Sequence, residues 1–129
     1  MKKLTLVFAS LLLVYGCQQK ESASNNLEPK EFQEKIGATP GAVVLDVRTP
    51  EEVAEGIIPG AIVLDFKGSD FKTSIAALDK SKTYFVYCAA GGRSGKTADL
   101  MKEQNFNSVY SLAGGMKAWT EVGLETVKP

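Results

Sequence analysis

The sequence predicts one α/β domain built around a mainly parallel sheet. Three observations carry that expectation. Strand-like and helix-like segments alternate from residue 27 onward. The strand-like segments are near-continuous apolar runs, rich in β-branched residues, as strands covered on both faces require. Glycine, proline or a small polar residue punctuates most of the junctions between segments. The 129-residue length suits one domain, and 44% hydrophobic with 23% charged residues is ordinary globular composition.

The elements follow in order. "EPKEFQEKIG" (28–37) opens with Pro29 near a first helical turn and closes on Gly37, with Phe32 and Ile36 on one face. "AVVLDV" (42–47) reads as a strand buried on both sides. "TPEEVAEG" (49–56) reads as a short helix, with Thr49 as N-cap, Pro50 in the first turn and Gly56 at the end. "AIVLDF" (61–66) is expected to be a second buried strand. Ser69 or Asp70 is expected to cap a helix that carries Phe71, Ile75 and Leu78 on one face. "TYFVY" (83–87) is a third strand, and residues 94–104 are helical with Thr97, Ala98 and Met101 at helical spacing. "SVYSL" (108–112) is a short strand, and "GGMKAWTEVG" (114–123) a last helix turning Met116 and Trp119 inward. Apolar and aromatic residues at such spacing are read as core.

The N-terminus is expected to lie outside this fold. "MKKLTLVFASLLLVYGC" places two lysines before an apolar run too short to span a bilayer comfortably, the shape of a secretory signal. Val14-Tyr15-Gly16-Cys17 resembles the lipobox of bacterial lipoproteins, in which the cysteine becomes a lipid-modified first residue. An ordinary signal with an incidental cysteine, or an uncleaved anchor, are the alternatives. The expected organisation is a signal peptide over 1–16, a polar tether over 17–26 starting at lipidated Cys17, and the domain over 27–129. The expected location is the bacterial cell envelope, lipid-anchored to a membrane, with the domain facing the periplasm or the exterior. Loss of Lys2 and Lys3 from the 15 basic residues leaves 13 against 15 acidic, a net charge of −2.

Composition also excludes. A formal net charge of zero gives no reason to expect a nucleic-acid partner. The chain has no histidine, which removes histidine metal sites, Ser-His and Cys-His nucleophile pairs and histidine pH switches. No metal and no cofactor are expected. With Cys17 acylated, Cys88 has no intramolecular disulfide partner, which suggests a reactive thiol over an inert buried one.

The chemistry is expected in the loop after the third strand. Cys88 ends the strand, Ala89, Ala90, Gly91 and Gly92 follow, and Arg93 and Ser94 lead into the helix. Small residues let the backbone curl so that successive amide N–H groups face inward as an anion nest. The helix start near Ser94 adds its positive end, and Arg93 a guanidinium. A thiol at the centre of these donors has its pKa lowered and is held as thiolate, the nucleophilic form. Cys-x5-Arg loops fit around a phosphate, as in protein tyrosine phosphatases. The Cys-x4-Arg spacing here makes a tighter cradle, suited to one extra sulfur on the cysteine.

Four blocks in order, "LDVRTPEE" (45–52), "GIIPGAI" (56–62), "VYCAAGGRS" (86–94) and "VYSLAGGMKAWTEVGL" (109–124), resemble the single-domain rhodaneses, thiosulfate sulfurtransferase-like proteins. The resemblance implies a five-stranded parallel sheet with helices on both faces. It also implies a catalytic Cys88 that takes sulfane sulfur as a persulfide and passes it to cyanide or a thiol. Asp46 and Arg48, at the end of the first buried strand, are candidate supports; Asp46 would pair with Arg93, accept from a loop amide, or form a surface salt bridge. Two departures stand out. Ile57 occupies a position where the family usually has histidine. Ala89 and Ala90 stand where members efficient with thiosulfate often have basic residues, leaving Arg93 and Lys96 as local cations. A persulfide on a small thiol or on a partner protein is then an alternative donor.

The leading function is a membrane-tethered sulfurtransferase working through a Cys88 persulfide on a small sulfur donor and a thiol or cyanide acceptor, with a protein acceptor as a further option. The alternative is a catalytically weak binding module or persulfide carrier. The short loop disfavours a phosphatase, and the lack of a second cysteine in the domain disfavours a dithiol oxidoreductase. An exposed thiolate would also be open to over-oxidation.

Overall fold

The computed structural model describes residues 25–129; the expected signal peptide, Cys17 and most of the tether lie outside the described residues. Asn26–Leu27 forms a short first strand, β1, followed by helix α1 (Pro29–Ala38) with Pro29 in its first turn. The chain then alternates: β2 (Val43–Asp46), α2 (Pro50–Ala54), β3 (Ile62–Val63), α3 (Phe71–Ala76), β4 (Thr83–Tyr87), α4 (Gly92–Glu103), β5 (Ser108–Leu112) and α5 (Gly115–Glu121). The five strands are all parallel, in the order β1-β5-β4-β2-β3.

Strand β4 sits at the centre, and its pleat sorts the core. Tyr84, Val86 and Cys88 face one side with Leu45, Val47, Phe71, Ile75, Ala98 and Met101. Phe85 and Tyr87 face the other with Phe32, Val44, Leu112, Met116 and Trp119. Helices α3 and α4 therefore cover one face and α1 and α5 the other, the two-sided burial that continuous apolar strands demand. Phe32 packs edge-on against both Phe85 and Trp119, with ring centroids 5.5 and 6.3 Å apart. Each fully buried side chain of this size contributes roughly 1.5–3 kcal/mol.

Two local expectations change. Residues 61–66 do not form a doubly buried strand. Only Ile62 and Val63 pair, with Leu45 and Asp46, and they are 51% and 38% exposed. Strand β3 is the sheet edge and has a neighbour on one side only, so its apolar run does not mean two-sided burial. Asp70 occupies the N-cap position of α3, but its side chain makes no capping bond.

Elsewhere the local chemistry acts as expected. The Thr49 hydroxyl accepts from Glu52 N, and Glu52 Oε1 accepts from Thr49 N at 3.2 Å, a reciprocal capping box at the start of α2. Ile57 is buried, and its backbone pairs with Val127 in an antiparallel bridge with N···O distances of 2.8 and 2.9 Å. An apolar side chain thus occupies the position where the resemblance would place a histidine. Among the described residues, no helix is long and apolar enough to cross a membrane.

Candidate active site

Cys88 comes directly after β4, at the carboxyl edge of the sheet where ligands of such folds bind. The loop then turns at once. Gly91 has φ 107°, a conformation that glycine adopts without steric cost, and serves as N-cap of α4. The helix starts at Gly92, two residues earlier than the sequence suggests, so Arg93 and Ser94 both lie in its first turn. This tight turn brings amides onto the sulfur. Gly91 N donates to Cys88 Sγ at 3.1 Å and Ser94 N at 3.4 Å.

A hydroxyl completes the shell. Ser94 Oγ lies 3.5 Å from Cys88 Sγ, and the Ser111 hydroxyl donates to Ser94 Oγ at 2.9 Å. Burial pushes the Cys88 thiol up, but the Ser94 hydroxyl and the N–H groups of Ser94, Gly91 and Ala90 outweigh it and hold the thiol below its ordinary value. Cys88 is nevertheless 1% exposed, so the expected exposed thiolate is corrected to one enclosed by its own loop. The amides that stabilise the sulfur also cover it.

The loop rests on α5. Met116 N donates to Cys88 O at 2.8 Å and Lys117 N to Ala89 O at 3.1 Å, so the N-terminal amides of that helix hold the loop carbonyls. Gly115 makes this approach feasible. It has φ 59°, and a Cβ there would stand 2.6 Å from Ala89 O. The sequence marks "AGGMKAW" as a helix start and part of a family-like block, without showing that it is the floor of the cysteine loop.

The ion pairs differ from the expected ones. Arg93 does not pair with Asp46. Its Nη1 and Nη2 donate to Glu52 Oε1 and Oε2 at 2.7 and 2.8 Å. Asp46 instead accepts from Arg48, from Nε at 3.0 Å and from Nη2 at 2.8 Å, and from the Arg48 backbone N–H at 3.0 Å. The pleat explains the difference. Asp46 stands opposite Tyr87 in the β2–β4 register, so it shares the Tyr87 side of the sheet and not the Cys88 side. The pair is buried, with side-chain exposures of 5% and 0%, and is not a surface salt bridge.

Asp46 and Arg48 contact the α2 segment rather than the cysteine loop. Arg48 Nη1 donates to Glu52 O at 3.2 Å and Nη2 to Gly56 O at 2.6 Å. The buried pair thus braces the segment that carries Glu52, which in turn engages Arg93. Beside Ala89 opens a cavity of about 310 Å³, lined among others by Arg48, Glu52, Glu55, Met116 and Lys117. Lys117 is a cation of this mouth that sequence order hides. Lys96, expected there, lines a different cavity with Phe66, Phe71 and Leu100.

A single thiol at the carboxyl edge of a parallel sheet, wrapped by a short amide-lined loop that favours its anion, defines a class of α/β domains suited to sulfur chemistry. The chain belongs to the rhodanese-like domain family, which matches residues 28–122. A sulfurtransferase from Allochromatium vinosum is 30% identical over 105 residues, covering 81% of this chain and 96% of that protein. The thiosulfate sulfurtransferase GlpE of Stutzerimonas stutzeri is 38% identical over 79 residues, covering 61% of this chain and 71% of that protein. The crystal structure of a rhodanese-related protein from Thermoplasma volcanium superimposes with a TM-score of 0.70 at 28% identity, covering 79% of this chain and 96% of that one.

Proposed function

We propose that this protein is a sulfurtransferase that carries sulfane sulfur as a persulfide on Cys88. The observation that carries the reading is the ring of donors on one sulfur, with Gly91 N at 3.1 Å and Ser94 N at 3.4 Å. Such donors lower the cost of a negative sulfur, in the thiolate and in the persulfide formed from it. The names of the relatives support the same chemistry.

The reaction has two balanced halves. The Cys88 thiolate attacks the sulfane sulfur of the donor. With thiosulfate the S–S bond breaks, sulfite leaves with the electron pair, and a persulfide anion remains on Cys88. A nucleophile then attacks the outer sulfur of that persulfide. With cyanide the products are thiocyanate and the regenerated thiolate. Neither half needs an external oxidant or reductant. The chain's own residues hold the sulfur, stabilise its charge and limit the approach to it.

The test is intact-protein mass spectrometry after donor treatment. The expected result is a gain of one sulfur atom on Cys88, removed by cyanide with release of thiocyanate and absent in Cys88→Ser. Failure to form the adduct with thiosulfate, polysulfide and an organic hydropersulfide alike would sink the reading.

The same proposal includes a lipid anchor at Cys17, a tether over 17–26 and a bacterial envelope location. It is supported by the apolar run and by Val14-Tyr15-Gly16-Cys17 in the sequence. Labelling with a fatty-acid analogue checks it: the wild type should carry label and enter the detergent phase, and Cys17→Ala should do neither. An unlabelled wild type would remove the anchor from the proposal.

A further inference from the structure

Arg93 is the only side-chain cation within the cysteine loop sequence, yet its charge is already engaged. Both ends of its guanidinium meet both oxygens of Glu52, at 2.7 and 2.8 Å. Glu52 is fixed in turn, since Oε1 also accepts from Thr49 N at 3.2 Å and from the Thr49 hydroxyl at 3.0 Å. The carboxylate therefore belongs to the helix cap and to the loop cation at once. Hydrogen bonding from Arg93 first, and then from Thr49, holds its pKa at about 2, so it is charged at every physiological pH.

The rest of the mouth supplies no surplus of positive charge. Of the cations lining the cavity beside Ala89, Arg48 is matched by Asp46 at 2.8 Å. That leaves Lys117 against Glu55. A dianionic donor such as thiosulfate would enter a mouth whose side-chain charges sum to zero, Arg48 against Asp46, Arg93 against Glu52 and Lys117 against Glu55. A donor whose carrier group is uncharged has no such need.

We infer that Glu52 is a specificity-determining residue, which neutralises Arg93 and so selects hydropersulfide donors over dianionic thiosulfate. The inference rests on the sulfurtransferase reading and deepens it. In the favoured reaction the Cys88 thiolate attacks the outer sulfur of R–S–SH. The donor S–S bond breaks, R–S⁻ leaves, and Cys88–S–SH forms with its proton retained on the outer sulfur. The leaving group carries one negative charge, whereas sulfite carries two.

Glu52→Gln in the full chain is the test, because glutamine at this position keeps the capping-box geometry while removing the charge. Rates of persulfide formation on Cys88 are read by intact mass with two probes, thiosulfate and the hydropersulfide of 2-mercaptoethanol. The expected result is a thiosulfate rate raised by about tenfold or more, with the hydropersulfide rate held within about threefold, the selective effect of freeing one unit charge at close range. The thiosulfate rate of the variant should also fall more steeply with added salt than that of the wild type. Parallel changes with both probes, including loss of both, would make Glu52 a support of the loop and overturn the inference. A thiosulfate rate that stays level or drops overturns it too. A wild type inert to both probes overturns the sulfurtransferase reading itself, whereas a reactive wild type with an unchanged donor ratio in the variant overturns only the role of Glu52.

Discussion

The Ser111 hydroxyl donates to Ser94 Oγ at 2.9 Å from a strand 17 residues further along the chain. Ser94 has a single hydroxyl proton and two neighbours to offer it to, Gly91 O at 3.2 Å and Cys88 Sγ at 3.5 Å. With Ser111 donating into Ser94, that proton is polarised toward whichever acceptor is more negative. When Cys88 is a thiol, its S–H donates to Ser94 Oγ and the Ser94 hydroxyl donates to Gly91 O. When Cys88 is a thiolate, the proton swings to the sulfur.

Ser111→Ala removes that polarisation without touching the sulfur. The thiolate absorbance of Cys88 should then titrate at higher pH than in the wild type. Persulfide formation at neutral pH should slow roughly threefold, the weight of one weakened neutral hydrogen bond. Ser111→Thr, which keeps the hydroxyl on a strand residue, should restore both. An unchanged titration in the alanine variant would show Ser111 to be a packing residue.

Gly115→Ala should damage the site more than the fold. A methyl there would stand 2.6 Å from Ala89 O, at a φ of 59° that side chains disfavour. Backbone strain of about 1–3 kcal/mol is expected, and the loop carbonyls must move off the α5 amides. Gly95→Ala makes the contrast. Nothing lies within 4 Å of a Cβ at Gly95, inside α4, so that change should stabilise by up to about 1 kcal/mol. Urea unfolding checks both variants, and persulfide mass analysis should show the loss in Gly115→Ala alone.

Arg48→Met should be among the most destabilising single changes outside the apolar core. It strands the Asp46 carboxylate, which is 0% exposed, and removes donors from Glu52 O and Gly56 O. Loss of one partner from a buried pair costs about 3–5 kcal/mol. The double change Asp46→Leu with Arg48→Met removes the stranded charge and should recover part of the loss. A urea midpoint of Arg48→Met equal to that of the wild type would refute the bracing role given to Arg48.

The Glu52–Arg93 pair sets an acid limit. Arg93 first, then Thr49, lowers Glu52 in the folded protein from an ordinary value of 4.5 to about 2. A lowered carboxyl stabilises the fold above its unfolded pKa, and that contribution is lost as pH falls through the folded one. The wild type should therefore lose more stability than Glu52→Gln between pH 5 and pH 2, the window that those two values define. The pair is partly solvated, so the difference should stay near or below about 1 kcal/mol. Urea midpoints measured across this range check the sign, and equal slopes would show that the pair adds no stability.

Much of this was legible along the chain. The unbroken apolar run Tyr84, Phe85, Val86 and Tyr87 told of a strand covered on both faces. Thr49, Pro50 and Glu52 spelled a helix start, and the run from Cys88 to Ser94 spelled an amide cradle. Each of these is a local property of torsion, period or capping. The misreadings have a common cause in distance along the chain. An apolar run such as Ile62-Val63 reads alike at the centre and at the edge of a sheet. Asn26 and Leu27 become a strand only because β5 is there to pair with them.

Chain order alone dictates most of the elements, the cysteine at a strand end and the small residues that let amides gather on its sulfur. Which distant groups surround that loop is settled by tertiary structure. Strand order places β2 and β5 on either side of β4. Glu52 beyond the end of β2, Ser111 within β5 and Gly115 just past β5 therefore converge on the loop between β4 and α4. Glu52 and Arg93 are 41 residues apart in the chain, yet 2.7 Å apart in space. Backbone preference reaches only a few residues, whereas the charge felt by a substrate is the sum over all groups that the sheet brings within a few ångströms.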